Sequence, residues 1–446
     1  MLRIVTAFRA LYFAAVMLLT GSGLLSTYLA LRLGAEKVDG LWIGAMMAAY
    51  YLGLVLGGKI GHRLIARVGH IRAYVACGGL VTAAVLGIGL LPWLGFWLVL
   101  RTAIGLGMMC QYMVIESWLN EQAEARQRGL VFAGYMVASY LGLVLGQLVL
   151  VVHPGLGPEL PMLIALCFAL SLIPVAITHK VHPAPLRPAP LEPRFFIKRV
   201  PQSLTTVLVS GLVVGSFYGL APLYAVDQGL STEEIGLFMG GCIFAGLLVQ
   251  WPLGWLSDRI DRAVLIRNAA ILLLLVALPL AALPLLPVPP LSLALLLPMG
   301  FLVCLVQFTL YPLAVAFSND HVEGERRVSL TAMLLVTFGV GACVGPLAAR
   351  ALMKVFGSNM LYAFVCACSL ILIWRVQPEK VSGVHRVDEA PVKHVATPDS
   401  LASSPLSAAL DPRVDEAAVK EQMTRNDTSA PVTESEAEAE EESRPA

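Results

Sequence analysis

Two charged residues, Arg101 and Glu116, interrupt one long apolar stretch of this 446-residue chain. Ionisable groups in such surroundings are costly to desolvate, so they point to binding or proton transfer. They stand 15 residues apart, about 22 Å along a helix and too far to pair. At helical pitch they lie about 60° apart around the axis, so both can face one cavity. Arg101 suits an anionic group or the tuning of a proton site; its structural alternative is an arginine bonded to backbone carbonyls. Glu116 suits a proton carrier or an anchor, and Arg126 and Arg128 are near enough in sequence to pair with it. Neutral polar groups fall on four apolar stretches: Ser22, Thr27 and Tyr28; Gln111 and Tyr112; Ser216 and Tyr218; Gln307 and Tyr311. They can bind a polar solute, although any one of them serves more often as an interhelical hydrogen bond. Tyr50, Tyr51, Tyr135 and Tyr140 are weaker candidates.

The elements that position these groups follow from composition. Apolar residues make up 57% of the chain and charged ones 14%, with a mean hydropathy of +0.76. A soluble chain carries about 25% charge, so lipid is the solvent for most of this surface. Charges and turn residues divide the sequence into twelve spans: 10–31, 40–58, 74–91, 96–118, 130–151, 161–178, 203–224, 234–255, 268–286, 292–316, 329–349 and 359–375. Each has about the length that crosses a bilayer with its backbone satisfied internally. The first is too long for the apolar core of a signal peptide and has no small-residue cleavage pattern. Pro174, Pro279, Pro298 and Pro346 mark expected kinks.

Basic residues set the expected orientation. One set of loops holds Lys59, Arg63, Arg67, Arg72, Arg126, Arg128, Lys180, Arg187, Arg194, Lys198, Arg199, Arg259, Arg262, Arg267, Arg326 and Arg327. The alternate set holds only Arg32, Lys37, Arg350 and Lys354. The positive-inside rule makes the first set, and both termini, cytoplasmic. Residues 1–178 and 203–375 then form two six-helix halves joined by a proline-rich basic connector at 179–202. From 376 to 446 the chain turns polar and acidic, the composition of a disordered cytoplasmic tail.

The halves repeat. Gly58 and Gly254, and Arg63 and Arg259, are each 196 residues apart; Tyr112 and Tyr311, Asn120 and Asn319, and Arg128 and Arg327 are each 199 apart. Ala138, Gly142 and Gly146 match Thr337, Gly341 and Gly345 at the same offset. Such small-residue faces let helices approach closely. They read either as tight packing or as the sliding contact between halves. The repeated basic segments contain Gly58, His62, Arg63, Gly69 and Arg72 in the first half, and Gly254, Asp258, Arg259, Asp261 and Arg262 in the second. Acids among the bases add nothing to topology and read as a conformational latch; the bland alternative is contact with anionic lipid heads.

The run GWLSDRIDR at 254–262 resembles the G-x-x-x-D-R-x-x-R loop of major facilitator transporters, and RTAIGLG at 101–107 resembles their R-x-x-x-G-x-G motif. Stretches such as VIESWLNEQAEARQRG and YPLAVAFSNDH are most similar to the YcaD-like subfamily. The resemblance spans residues 1 to about 378. It implies an all-α membrane fold of two six-helix bundles, with spans 1, 4, 7 and 10 lining a central path. His62 departs from the family's usual aspartate, and Gly146-Gln147 replaces the GPxxGG pattern of drug/proton antiporters.

The expectation is therefore a monomeric inner-membrane secondary transporter for a small-molecule substrate, with a proton as candidate coupling ion. Membrane lipid is the other expected partner, and no cofactor, metal, nucleic acid or catalytic chemistry is expected. All eight cysteines fall in apolar runs without metal-ligand spacing. No phosphate-binding G-x-x-x-x-G-K-[ST] loop is present. A ligand sensor signalling through its tail is the alternative.

Overall fold

The computed structural model describes residues 2–123, 128–177, 192–283, 291–323 and 326–378. Bilayer-crossing backbone must satisfy its own N–H and C=O groups, and the described residues are accordingly helical almost throughout. The first half contains α1 (Leu2–Ala35), α2 (Gly40–Val68), α3 (His70–Leu90), α4 (Leu94–Gln122), α5 (Arg128–Val152) and α6 (Glu159–Ala176). The short α7 (Pro193–Arg199) precedes α8 (Pro201–Asp227), α9 (Thr232–Ser257), α10 (Arg262–Ala282), α11 (Leu293–Gln307), α12 (Leu310–Asn319), α13 (Arg327–Phe356) and α14 (Met360–Arg375). Among the described residues eleven stretches are long and apolar enough to cross a membrane, α11 and α12 counting as one, and α14 is a shorter apolar helix. Together they make the twelve-helix, two-bundle fold.

Within the first half α1 packs on α5 and α6, α2 on α4, and α3 on α4 and α6. In the second, α8 packs on α13, α12 and α14, α9 on α11, and α10 on α14. The halves meet where α2 lies against α13, α5 against α9, and α1 against α8. Large apolar side chains such as Leu90, Val99, Trp251 and Trp374 are exposed on the outside, which is a lipid-facing surface.

The structure changes several boundaries. Residues 58–68 are the last turns of α2 and not a loop, because Ile60, Leu64, Ile65 and Val68 continue its apolar spacing. The helix stops at Gly69, whose φ of +87° favours glycine. The connector region contains α7, and α8 already begins at Pro201. The ninth span starts earlier, at Arg262, because the Asp261 carboxylate caps α10 by accepting from the Ala263 N–H at 2.8 Å. The tenth is broken between α11 and α12, where Pro312 has no N–H to return to the Phe308 carbonyl. The other noted prolines sit inside helices that continue past them. The tail from 379, the connector at 178–191, and Arg126 lie outside the described residues, as do the side chains of Asn120, Arg128 and Arg327.

The small-residue faces do not form the contact between halves. A Cβ on Gly142 would meet the Val16 carbonyl at 2.5 Å, and one on Gly146 the Thr20 carbonyl at 2.5 Å. Both neighbours belong to α1 of the same half. Gly341 and Gly345 likewise face the Leu208 and Leu212 carbonyls of α8. These faces hold each half together, since a glycine there lets carbonyl and helix backbone touch. The seam uses other small residues: Gly236 and Gly240 of α9 against Gln147, Gly44 of α2 against Pro346, and Gly339 of α13 against Val55.

Candidate solute path

Arg101 occupies α4 where that helix presses on α2. Gly53 and Gly105 make the approach possible, because a Cβ on either would strike the other helix's backbone at 2.1 Å. The close approach brings the Tyr50 ring under the guanidinium, with Arg101 Cζ 4.7 Å from the ring centroid. Arg101 Nη2 donates to Ser26 Oγ of α1 at 2.9 Å and reaches Met47 Sδ at 3.8 Å. Its Nε and Nη1 have no acceptor, and the side chain is 0% exposed. The backbone-carbonyl alternative does not describe these contacts. Burying an unpaired charge costs several kcal/mol, of which a desolvated cation–π contact returns about 2 kcal/mol or somewhat more. Stability therefore does not account for Arg101.

This guanidinium is one side chain from the seam. A Cβ on Gly219 of α8, in the other half, would lie 2.6 Å from Met47 Cγ. Beside it Tyr51 packs on Phe338 of α13 at 6.3 Å between ring centroids, and Tyr311 of α12 packs on the same Phe338 at 5.4 Å. An aromatic cluster thus bridges the halves next to Arg101.

Glu116 is also fully buried. The Tyr135 hydroxyl of α5 donates to Glu116 Oε1 at a long 3.4 Å. The remaining polar candidates spread along the same core. Gln111 and Tyr112 are buried, Gln111 next to Gly78 of α3. The Ser22 carbonyl accepts from Ser26 Oγ at 3.1 Å, and Thr27 Oγ1 donates to Gln147 Oε1 at 2.9 Å. The Tyr28 hydroxyl accepts from Arg32 Nη1 at 3.0 Å. Ser216 Oγ donates to the Leu212 carbonyl at 2.7 Å, and Tyr218 stacks edge-on with Phe217. Gln307 Nε2 donates to Cys304 Sγ at 3.3 Å.

The basic end of the molecule, where α2 stops and α10 begins, carries the latch candidates. In the second half Arg262 is buried and donates from Nη1 to Asp320 Oδ1 at 2.6 Å and to the Ala316 carbonyl at 2.9 Å. Its Nε donates to Ser257 Oγ at 3.1 Å, and Nη2 reaches Asp258 Oδ1 at 3.5 Å. Arg259 instead lies over the Trp255 ring at 3.8 Å, and Gly254 stands in the last turn of α9. The first half is built differently. Arg63 and Arg72 are exposed, Gly58 and His62 half-buried on α2, and Gly69 ends that helix. The buried group is His70, whose Nε2 lies 3.2 Å from Ser117 Oγ of α4. Ser117 and Ala316 are related by the 199-residue offset, so His70 holds the place of Arg262. Sequence spacing missed His70 because four extra residues separate it from Gly58, compared with Arg262 and Gly254; it missed Asp320 because that acid lies outside the motif, at the end of α12.

At the opposite end Lys354 Nζ and Asp39 Oδ2 form an exposed ion pair between halves at 2.7 Å. The Lys354 ammonium holds the Asp39 carboxyl below the usual carboxylate range. At the same end a cavity of about 560 Å³ is lined by Lys37, Asp227, Ser231 and Arg350, among others. Among the described residues no cluster of metal-ligating side chains occurs, and the eight cysteines are free and buried or half-buried.

Two helical bundles with buried polar side chains in an apolar interior define a class, and the sequence comparisons agree with it. Residues 11–314 match the model of the Major Facilitator Superfamily, and the chain belongs to that family. It is 30% identical over 373 residues to the "Uncharacterized MFS-type transporter Ent638_1421" of Enterobacter sp. (strain 638), covering 83% of this chain and 94% of that one. It is 29% identical over 367 residues to the "Uncharacterized MFS-type transporter YcaD" of Escherichia coli O45:K1 (strain S88), covering 81% and 93%. The fold is also similar to the crystal structure of the nucleoside transporter NupG, with a TM-score of 0.68 at 14% identity over 82% of this chain and 97% of that one. The chain is a multi-pass membrane protein of a transporter family.

Proposed function

We propose that this chain moves a small solute across the bacterial inner membrane by alternating access. Two halves, residues 1–178 and 203–375, rock about a central site while the connector at 179–202 tethers them. The observation that carries this reading is Arg101: fully buried, short of acceptors, and in contact with Met47, which packs against the second half. Such a group gains partners only when the seam opens to a solute. The basic end faces the cytoplasm, where the latch around Arg262 steadies one conformation. Glu116 carries the coupling proton, with Tyr135 as its hydrogen-bond partner, and the monomer suffices.

Uptake into proteoliposomes under an imposed pH gradient tests this. Solute flux should follow the gradient, and Glu116→Gln should blunt that dependence. An unchanged pH dependence in Glu116→Gln removes it from the proton path. Failure of any solute in a broad metabolite and drug screen to move under any gradient removes the transport reading itself.

A further inference from the structure

Three features near the middle of the molecule bear on what the solute is. First, Arg101 is the buried arginine that no carboxylate matches. Arg262, the other fully buried arginine among the described residues, is paired with Asp320. Second, a guanidinium only donates, and Nε and Nη1 carry three of its five N–H groups; neither has an acceptor here. Whatever completes Arg101 must supply lone pairs and one negative charge. Third, the wall beside it is ring-rich: Tyr50 under the guanidinium, Tyr51 beside it, and Phe338 and Tyr311 across the seam.

We propose that the solute is a small organic monoanion whose carboxylate docks on Arg101 while its apolar, ring-bearing body lies against the aromatic cluster between the halves. This deepens the transport reading and rests on it for the identity of the site. Met47, which touches both Arg101 and the Gly219 backbone region, is the side chain the anion displaces. One cation offsets one negative charge, so dianions such as phosphate monoesters bind less well than carboxylates. Planar carboxylates fit a guanidinium edge with two parallel hydrogen bonds, and rings stack on the neighbouring aromatics.

The test reads binding without flux. The full chain in lipid nanodiscs is titrated calorimetrically with benzoate, phenylacetate and cinnamate, and with the matching neutral amides. The acids should bind at least about tenfold more tightly than the amides. Arg101→Gln should erase that preference, and Arg101→Lys should weaken it without erasing it, since an ammonium keeps the charge and loses the fork. Equal binding of acid and amide overturns the proposal, as does no binding of any of the three acids. A preference that survives Arg101→Gln also overturns it. If Arg101→Gln does not fold, the wild-type comparison and Arg101→Lys decide alone, an undiminished preference in the lysine variant counting against the fork. Arg101-dependent acid binding without flux leaves the anion site standing and removes transport. Flux of a neutral solute that Arg101→Gln leaves unchanged does the reverse.

Discussion

In the second half Arg262 gives its N–H groups to Asp320, Ala316 and Ser257, and its charge is matched where it sits. In the first half Arg101 is equally buried, yet it has one hydroxyl, one sulfur and one ring for company. The repeat makes the contrast direct. At the 199-residue offset Arg101 corresponds to Gly300 and Glu116 to Val315, while Arg262 is replaced structurally by His70. The buried arginine lies at the basic end in the second half and in the apolar interior of α4 in the first. A matched buried pair is a structural joint; an unmatched one is a place where something else completes the chemistry.

The largest effect that would break this comparison is at Arg101. Arg101→Met should abolish flux while leaving the melting temperature equal or higher, because an apolar side chain of similar length relieves the desolvation cost. A fall in melting temperature with flux retained would make Arg101 structural, like Arg262. Next comes the joint itself. Asp320→Ala strands the Arg262 charge and should destabilise the protein by about 3–5 kcal/mol. His70→Ala in the first half should cost only about 1 kcal/mol, the scale of one hydrogen bond. Equal losses in denaturant unfolding would mean that the two latches are equivalent after all. The smallest contrast sharpens the packing. Gly146→Leu drives a side chain into the Thr20 carbonyl and should cost about 1–3 kcal/mol. Gly240→Ala, whose Cβ would sit 3.5 Å from Gln147, should be tolerated in stability. If both behave alike, the difference in clearance between Gly146 and Gly240 does not govern their tolerance.

Much of the architecture was legible in the sequence because lipid imposes simple demands on composition and length. The span positions, the repeat, and the burial of Arg101 and Glu116 follow from apolar runs and the cost of a charge within them. What escaped was set by tertiary geometry. The extension of α2 to Val68 depends on how far a helix projects beyond the membrane, which span length does not encode. The small-residue faces of α5 and α13 announce close packing but not the partner, and they turn inward to α1 and α8. His70 carries no motif; only its contact with Ser117 reveals it. Tyr50 and Ser26 became neighbours of Arg101 through the Gly53–Gly105 contact; the motif around Arg101 contains Gly105 but does not say which helix packs there. Asp39 and Lys354, 315 residues apart, meet because α2 and α13 form the seam.

Alternating access makes one demand that can be measured most directly, a reciprocal change at the two ends of the seam. Spin labels at Lys59→Cys and Ile260→Cys report the basic end, and labels at Ala35→Cys and Val355→Cys the opposite end; all four positions are exposed, while the native thiols are buried or half-buried. Electron–electron distance distributions across a pH series, with and without a bound solute, should show one pair separating as the other closes. Distances that stay fixed, or that change together, would contradict the account.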